Sequence, residues 1–331
     1  MKEIVFRTMP KIRQNRNLKR PKTARKRGNL SDMFTCNLCP RQCGVKRGDE
    51  PAGQGKGFCR MGEAPVLARA ALHFDEEPCI SGSRGSGAVF FSGCTLRCVY
   101  CQNDMISRGC FGKPTDAKGL RRIFDRLIEE DEAHNINLVT GTHFVNAILE
   151  ALKEPLPVPV VWNSSGFETI DTLRRLEGHV QVYLPDLKYV DPEGASRFSR
   201  ASVYPVCAEK ALLEMRRQVG ENQFDDEGVM TRGLLIRHLI LPGRLEDARD
   251  AIDFAADAFP AGSVLFSLMS QYTPMPGPEA FPELSRRVTT EENETLIHYM
   301  RVRGLSGFWQ EGSAATEEMI PDWDLTGVCQ N

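Results

Sequence analysis

The sequence of 331 residues lacks the long hydrophobic run that a membrane-spanning helix needs. No apolar stretch approaches about 18 residues, and residues 1–30 hold no apolar segment of the kind that export signals carry. We therefore expect a cytoplasmic protein with no membrane partner. Aromatic residues are scarce at 8%, but apolar residues at 41% and charged residues at 26% are ordinary for a globular protein, which excludes a mostly disordered or fibrous chain.

The first thirty residues almost lack acidic side chains. They hold 11 Lys and Arg residues and one acid, Glu3, so this segment carries +10 while the remaining 301 residues carry −12. No hydrophobic periodicity accompanies the basic run. We expect residues 1–33 to form a basic, disordered arm. Nucleic-acid binding is the less favoured reading, because Phe6 is the only aromatic residue among the charges.

Short apolar runs alternate with helical patterns from residue 86 onward. The expected strands are Ala88–Ser92, Ile136–Thr140, Val158–Asn163, Val180–Leu184, Leu234–Leu241 and Ser263–Met269. Helical periodicity covers Thr115–Ala133 and Leu245–Phe259, and Thr289 with Glu292 forms the capping box of a last helix ending near Val302. This alternation predicts an α/β protein with parallel strands and right-handed crossovers.

Six strand–helix units fit a partial (βα)6 TIM-type barrel with an N-terminal Cys-rich extension, and a doubly wound open sheet fits the same count. The expected domains are the arm at 1–33, a Cys-rich metal-binding module and linker at 34–85, a core at 86–311 and a tail at 312–331. The module is too short for an apolar core of its own, and modules of this size usually need a metal to fold.

The eleven cysteines are an odd number, so they cannot all pair in disulfides. Seven of them fall in two close groups, which in a reducing compartment indicate metal or redox sites. One group, Cys94-x3-Cys98-x2-Cys101, directly follows the first expected strand, at the end where barrels of this type place their active sites. Three thiolates can ligate three irons of a cubane cluster and leave the fourth iron open, as catalytic metal sites do.

This motif, with Tyr100 before its last cysteine, resembles the signature of the radical S-adenosylmethionine superfamily. The resemblance implies that Cys94, Cys98 and Cys101 hold a 4Fe-4S cluster whose open iron binds S-adenosyl-L-methionine. One electron then cleaves that cofactor to a 5′-deoxyadenosyl radical, which abstracts a substrate hydrogen. From about Glu77 to Glu311 the chain is also similar to pyruvate formate-lyase activating enzymes and to uncharacterised homologues with an N-terminal Cys module. That similarity implies a glycyl radical protein or other protein substrate, and a reductant such as flavodoxin or ferredoxin.

The same resemblance assigns cofactor contacts to residues that follow successive strands. Gly141 and Thr142 stand where activating enzymes have a Gly-Gly-Glu turn, and the fourth strand ends in a matching Asp-x-Lys. Two residues apart, these two side chains point the same way on an extended strand; a surface ion pair is the alternative. The implied cofactor-binding residues are Tyr100, Gly141, Thr142, Asn163, Ser164, Ser165, Asp186, Lys188, Leu239 and Gln271.

The other group, Cys36-x2-Cys39-x3-Cys43 with Cys59, makes a plausible four-thiolate set. Its spacing does not separate zinc from iron, although zinc sites favour two Cys-x2-Cys pairs and here the second half is a lone cysteine. We therefore favour a second iron–sulfur cluster, with zinc as the alternative. Three functions stay open: a radical enzyme that activates a glycyl radical partner, one that acts on a small molecule or peptide, and a non-catalytic iron–sulfur or nucleic-acid-binding protein.

Overall fold

Ten strands form one open sheet in the computed structural model, which describes residues 35–275, 280–311 and 321–328. The strands are β1 (Val66–His73), β2 (Ser86–Phe91), β3 (Lys113–Pro114), β4 (Ile136–Val139), β5 (Val160–Ser164), β6 (Val182–Pro185), β7 (Gln223–Phe224), β8 (Met230–Leu239), β9 (Leu265–Met269) and β10 (Gly307–Trp309). Their order is β10-β9-β8-β6-β5-β4-β2-β1-β3, with β7 paired to β8. From β2 to β10 along this path every pairing is parallel, whereas β1 pairs antiparallel with β2 and β3.

The helices connect the parallel strands and cover the sheet. They are α1 (Pro78–Ser81), α2 (Asp104–Ser107), α3 (Ala117–Glu129), α4 (Val145–Ala151), α5 (Ile170–Leu176), α6 (Pro192–Ser199), α7 (Tyr204–Val219), α8 (Leu245–Ala258) and α9 (Thr290–Val302), with 3₁₀ turns at Thr142–Phe144 and Pro282–Leu284. The expected capping box is present, because the Thr289 and Glu292 side chains exchange hydrogen bonds with each other's backbone. None of the described helices is both long and apolar enough to cross a bilayer.

The strands that continue the barrel pattern are buried on both faces. Every residue of β2, β4, β5 and β6 is buried, as expected for parallel strands covered by helices. Trp162 of β5 and Tyr183 of β6 are among the largest fully buried side chains and lie in the main apolar core. The carboxyl ends of these strands therefore meet at one rim of a rigid scaffold.

The structure confirms the predicted α/β class and all six predicted strands, which correspond to β2, β4, β5, β6, β8 and β9. It adds a seventh parallel strand, the three-residue β10, and the sheet stays open because no ladder joins its outermost strands within the described chain. Residues 66–81, which the sequence assigned to the module and linker, form β1 and α1 and so belong to the sheet. The arm at 1–33 lies outside the described residues, as do 312–320 and 329–331 of the tail.

Residues 321–328 pack against the edge of the sheet opposite to β10, and we call them the C-terminal clasp. The backbone N–H of Ala70 in β1 donates to Thr326 at 2.9 Å, and the Arg69 guanidinium contacts the Asp324 carboxylate at 3.0 Å. The Trp323 ring meets the Phe90 ring edge-on, with centroids 5.2 Å apart. Gly327 is required there, because a Cβ atom would lie 1.9 Å from the Ala70 carbonyl oxygen.

Candidate active site

Three cysteines lie in the loop between β2 and α2, at the rim formed by the carboxyl ends of the parallel strands. Cys94 and Cys98 are buried and Cys101 is partly exposed. The loop leaves the strand through Gly93, whose φ is +79° and whose absent Cβ would lie 2.9 Å from the carbonyl oxygen of Cys59. A side chain there would therefore push the loop away from the N-terminal module.

Each of the three sulfur atoms accepts a hydrogen bond. The N–H groups of Leu96 and Arg97 approach Cys94 Sγ at 3.3 and 3.5 Å. Hydroxyl groups donate to the other two sulfurs, from Ser199 to Cys98 at 2.9 Å and from Ser107 to Cys101 at 3.3 Å. Donors aimed at sulfur stabilise the thiolate form that metal ligation requires, so this loop is built to hold ionised sulfurs.

Two of the three thiols resist ionisation at neutral pH. Burial is the main cause that raises the pKa of Cys94 to about 12, and the neighbouring thiols Cys98 and Cys101 contribute to this rise. Burial likewise raises the pKa of Cys101. A bound metal cluster supplies the positive charge that turns such thiols into thiolates.

The arrangement suits a cluster of several irons better than a single ion. In the described residues, no three His, Cys, Asp or Glu side chains converge as ligands of one metal ion. In a cubane cluster each thiolate binds its own iron, so the three sulfurs need not converge on one point. The residues present therefore fit a 4Fe-4S cluster.

A cavity of about 200 Å³ adjoins this loop and extends down the inside of the sheet. Of the residues that the sequence nominated, those that line it are Cys94, Cys98, Tyr100, Cys101, Asn163, Ser164, Ser165, Asp186, Lys188, Leu239 and Gln271. They come from the ends of β2, β5, β6, β8 and β9, which the topology brings to one rim. A single cavity thus joins the three thiols to a set of hydroxyl, amide and charged groups.

Two nominated residues, Gly141 and Thr142, do not line the cavity. Thr142 is buried and donates its hydroxyl to the Glu168 carboxylate at 2.8 Å. A Cβ atom on Gly141 would lie 2.7 Å from the Ile148 side chain, so this glycine permits close packing of α4. Both residues pack behind the rim, and the expected contacts of Gly141 and Thr142 with the cofactor stay a prediction.

A chain of charged groups crosses the cavity wall. Lys188 Nζ contacts Asp186 Oδ2 at 2.7 Å, and Arg237 Nε contacts Asp186 Oδ1 at 2.8 Å. Arg237 also reaches Glu76 Oε2 at 2.7 Å and the Asn163 amide oxygen at 2.7 Å. Burial alone would raise the pKa of Asp186, but Arg237 and Lys188 outweigh it and hold that pKa below its ordinary value. Asp186 is therefore ionised, and the Asp186–Lys188 pair is part of a partly buried network in the cavity wall rather than an isolated surface ion pair.

The pKa of Lys188 also depends on the cysteine loop. Burial would lower its pKa, but Asp186 first and then Cys98 and Cys101 raise it above the ordinary value. The ammonium group therefore stays charged beside the sulfurs. A fixed cation at this place attracts anionic parts of a ligand, such as a carboxylate, towards the loop.

Three residues that line the cavity were not among the cofactor-binding residues implied by the sequence: Glu76, Glu77 and Arg237. Arg237 stands two residues before Leu239 on β8, so strand alternation could have placed it on the same face. The two glutamates lie in the linker between β1 and α1, where no periodicity or motif marks them. Only the folded structure shows that this linker lies against the cavity and that both glutamates line it.

The second cysteine group lies in a small module without strands or helices of its own. Cys36, Cys39 and Cys59 are buried and Cys43 is exposed. Backbone turns bring them together, since Cys36 N–H donates to Val45 and Gly44 N–H donates to Cys36. Burial is the main cause that raises the pKa of Cys39 to about 12, and the charges of Cys59, Cys43 and Cys36 contribute to this rise, so these three thiols lie within electrostatic reach of Cys39.

Two arginines fasten this module to the barrel rim. Arg41 donates to the Thr95 carbonyl at 2.9 Å and to the Ser199 carbonyl at 2.7 Å, while its guanidinium stacks on Phe58 at 3.8 Å from the ring centroid. Arg47 is buried and donates to the carbonyl oxygens of Gly62 and His143. The module therefore covers the Cys94 loop from one side.

Comparison with known proteins agrees with the cysteine chemistry. A family model described as a 4Fe-4S single cluster domain matches residues 81–187, which include the Cys94 loop. The uncharacterized protein MJ0674 of Methanocaldococcus jannaschii is 31% identical over 273 residues, which cover 79% of this chain and 73% of that protein. The chain belongs to the family of MJ0674.

Two solved structures share part of the architecture. Both are of SuiB from Streptococcus suis, one bound to the precursor peptide SuiA and one to S-adenosylmethionine. Their TM-scores are 0.45 and 0.43, with 14% and 15% identity over 66% of this chain. The chain spans less than half the length of these proteins, 46% and 45%.

Proposed function

We propose that this protein is a radical S-adenosylmethionine enzyme. The observation that carries the proposal is the cavity that joins Cys94, Cys98 and Cys101 to the partly buried Asp186–Lys188 pair. These three cysteines would hold a 4Fe-4S cluster, which would supply the electron for reductive cleavage of S-adenosylmethionine and so for hydrogen abstraction from the substrate. The match of residues 81–187 to a 4Fe-4S domain supports the cluster.

The chain's own residues bind, orient and shield. Lys188 and Asp186 offer opposite charges at the end of β6, where they would hold the polar groups of the cofactor. Ser164 and Ser165 follow β5 and offer hydroxyl groups, and Gln271 after β9 offers an amide to the adenosine. The Tyr100 ring packs edge-on against Tyr189 and Tyr272, which limits access of water to the cysteine loop.

The polar cavity also separates this proposal from an iron–sulfur electron carrier. A carrier needs its cluster near the surface and no binding pocket, whereas here the thiols open onto a cavity lined by buried charges. We propose that flavodoxin or ferredoxin delivers the electron. Cys101 is partly exposed, whereas the other two cysteines of the loop are buried.

The test is cofactor cleavage by anaerobically reconstituted protein. With dithionite and S-adenosylmethionine, the wild-type protein is expected to form 5′-deoxyadenosine, measured by chromatography. Cys94→Ala removes one ligand and should lower the rate at least about 100-fold. Cys207→Ala, which alters a thiol on α7 outside the cavity, is the matched control and should keep the wild-type rate. Undiminished cleavage by the Cys94 variant would falsify the proposal.

We also propose that the N-terminal module holds an auxiliary iron–sulfur cluster. Its four thiols lie within reach of one another's charge, three of them are buried, and the Phe58 N–H donates to Cys43 Sγ at 3.4 Å. The position of a Cβ on Gly57 would be 3.8 Å from Cys59 Sγ and 3.9 Å from Cys43 Sγ, so the backbone at Gly57 lies close to both sulfur atoms. Burial raises the pKa of Cys39 and Cys59, and a bound metal would supply the positive charge that turns these thiols into thiolates.

A further inference from the structure

The segment between β1 and α1 carries an acidic triplet, Asp75, Glu76 and Glu77, all of which line the cavity. Asp75 is exposed, but Glu76 and Glu77 are 9% and 2% exposed. A short acidic run on a surface would be unremarkable, since each carboxylate would be hydrated. Here two of the three are withdrawn from water, and each buried carboxylate needs a compensating partner.

Glu76 has its partners. Its Oε2 accepts from Arg237 Nη1 at 2.7 Å, and its Oε1 accepts from the side-chain amides of Asn137 at 3.1 Å and Asn163 at 2.9 Å. Arg237 also donates hydrogen bonds to the Asp186 carboxylate and to the amide oxygen of Asn163. The positive charge of Arg237 is thus already committed to two carboxylates.

Glu77 has no such partner. Its Oε2 is buried without a hydrogen bond at ordinary geometry, the Ser267 hydroxyl is a polar neighbour, and the Arg237 Nη1 atom is 4.0 Å away. Burial raises the pKa of Glu77, and Arg237 opposes that rise. In this network two cations, Arg237 and Lys188, face three acidic side chains, Asp186, Glu76 and Glu77. The network therefore has one more acid than base. An unpaired buried carboxylate costs several kcal/mol in real proteins, so the missing charge is the natural contribution of a ligand.

We propose that Glu77 binds the cationic amino group of the substrate inside this cavity. Glu77 lines the cavity and keeps one buried carboxyl oxygen without a hydrogen bond, and the two cations beside it are already paired with Asp186 and Glu76. The class of ligand that fits is a small molecule or side chain that ends in a primary ammonium group. Calling that ligand the substrate rests on the proposed function, in which the amino group of S-adenosylmethionine binds to the open iron instead.

The test compares three probes of equal length: n-butylamine, n-butanol and butyrate. Binding to the anaerobic, cluster-loaded protein in the presence of S-adenosylmethionine is measured by ligand-detected NMR at fixed ionic strength. We expect n-butylamine to bind at least about tenfold more tightly than n-butanol, and butyrate to bind most weakly. Equal affinity for the amine and the alcohol in the wild-type protein overturns the proposal, whatever the variants do.

Substitutions of Glu77 test whether the amino group of n-butylamine binds at this side chain. Glu77→Gln keeps the shape but removes the charge, and it should lower n-butylamine affinity to the level of n-butanol, while Glu77→Asp should retain part of the preference. Glu209→Gln, on the exposed face of α7, is the matched control and should bind like the wild type. An unchanged amine preference in a folded Glu77→Gln protein shows that the amine lies elsewhere and overturns the assignment.

A second experiment tells whether Glu77 binds the amino group of the substrate or that of S-adenosylmethionine. Equilibrium dialysis measures S-adenosylmethionine binding to the wild-type and Glu77→Gln proteins, and we expect the two affinities to agree within twofold. A tenfold loss in the variant would assign Glu77 to the amino group of the cofactor and overturn the substrate assignment. Failure of the proposed function is distinct from both results, because it would appear as absent 5′-deoxyadenosine from the wild-type protein.

Discussion

Glu168 shows how a single buried side chain supports the cavity without lining it. Its Oε1 accepts from the Thr142 hydroxyl at 2.8 Å and from the Trp162 indole at 3.4 Å, while Oε2 has no partner among the described residues. Burial raises its pKa to about 7, against the lowering effect of those hydrogen bonds. The folded chain therefore keeps a proton on Glu168 that the unfolded chain loses near pH 4.5.

This difference fixes how stability depends on pH. Between about pH 4.5 and 7 the folded state binds one more proton at Glu168 than the unfolded state, so the free energy of unfolding falls as pH rises and levels off above pH 7. The fall should amount to about 3 kcal/mol at about 1.4 kcal/mol per pH unit. Glu168→Gln should remove it. Urea denaturation at pH 5 and pH 8 checks this, with Glu209→Gln as control, and parallel pH profiles for wild type and Glu168→Gln would contradict it.

The sequence predicts the positions of some residues of the site better than those of others. Asp186 and Lys188 could be predicted to share a face, because they sit two apart at the end of a strand. The Gly141–Thr142 stretch was nominated by its place in the chain, yet the 3₁₀ turn that begins at Thr142 directs it to Glu168 instead. Glu77 could not be found, since its role depends on which charges surround it in space.

At the scale of elements, the sequence predicted the strands that are buried on both faces and missed those at the edges. Strands such as β4 and β5 are continuous apolar runs between turn residues, and that signal is strong. The strand β10 has only three residues, which is too short for any pattern. β1 mixes buried and half-buried positions because it lies beside an edge, and it falls in a region dominated by the cysteine signal.

The C-terminal clasp is an element whose removal can be measured. Trp323 is partly buried against Phe90, a residue that also lines the cavity. Trp323→Ala should lower the free energy of unfolding by about 1–2 kcal/mol, less than the 3–5 kcal/mol typical of a fully buried aromatic residue. Asp322→Ala is the control, because only the backbone carbonyl of Asp322 bonds to Arg69. Chemical denaturation measures both, and equal stability of the two variants would argue that the ring adds nothing.

At the scale of the whole molecule, the two cysteine groups lie on either side of Arg41 and both act on its charge. Arg41 touches the loop of Cys94 through the Thr95 carbonyl and belongs to the module of Cys39. The charges of both groups act on it, since Cys39, Cys94, Cys43 and Cys98 all oppose the lowering of its pKa by burial. Metal centres in both places would therefore be neighbours, which suits transfer of electrons from one to the other.

Metal content tests this arrangement directly. Anaerobically reconstituted wild-type protein should contain two clusters' worth of iron and sulfide per chain, measured by elemental analysis and sulfide assay. Cys36→Ala combined with Cys39→Ala should reduce this to one cluster's worth, as should Cys94→Ala combined with Cys98→Ala, while Cys207→Ala retains both. Zinc in the module of the native protein, or iron unchanged by the first pair of substitutions, would refute the auxiliary iron–sulfur cluster.

The clasp also has a consequence for the order in which the molecule is made. Residues 321–328 complete the hydrogen bonding of β1, and Arg69 is separated along the chain from its partner Asp322 by 253 positions. Contacts between such distant positions form late, because a very long loop must close first. During synthesis β1 therefore lacks this partner until residues 321–328 have been added to the chain. Incomplete chains that lack residues 321–328 would therefore leave β1 with an unpaired edge, and partly folded chains associate through such edges.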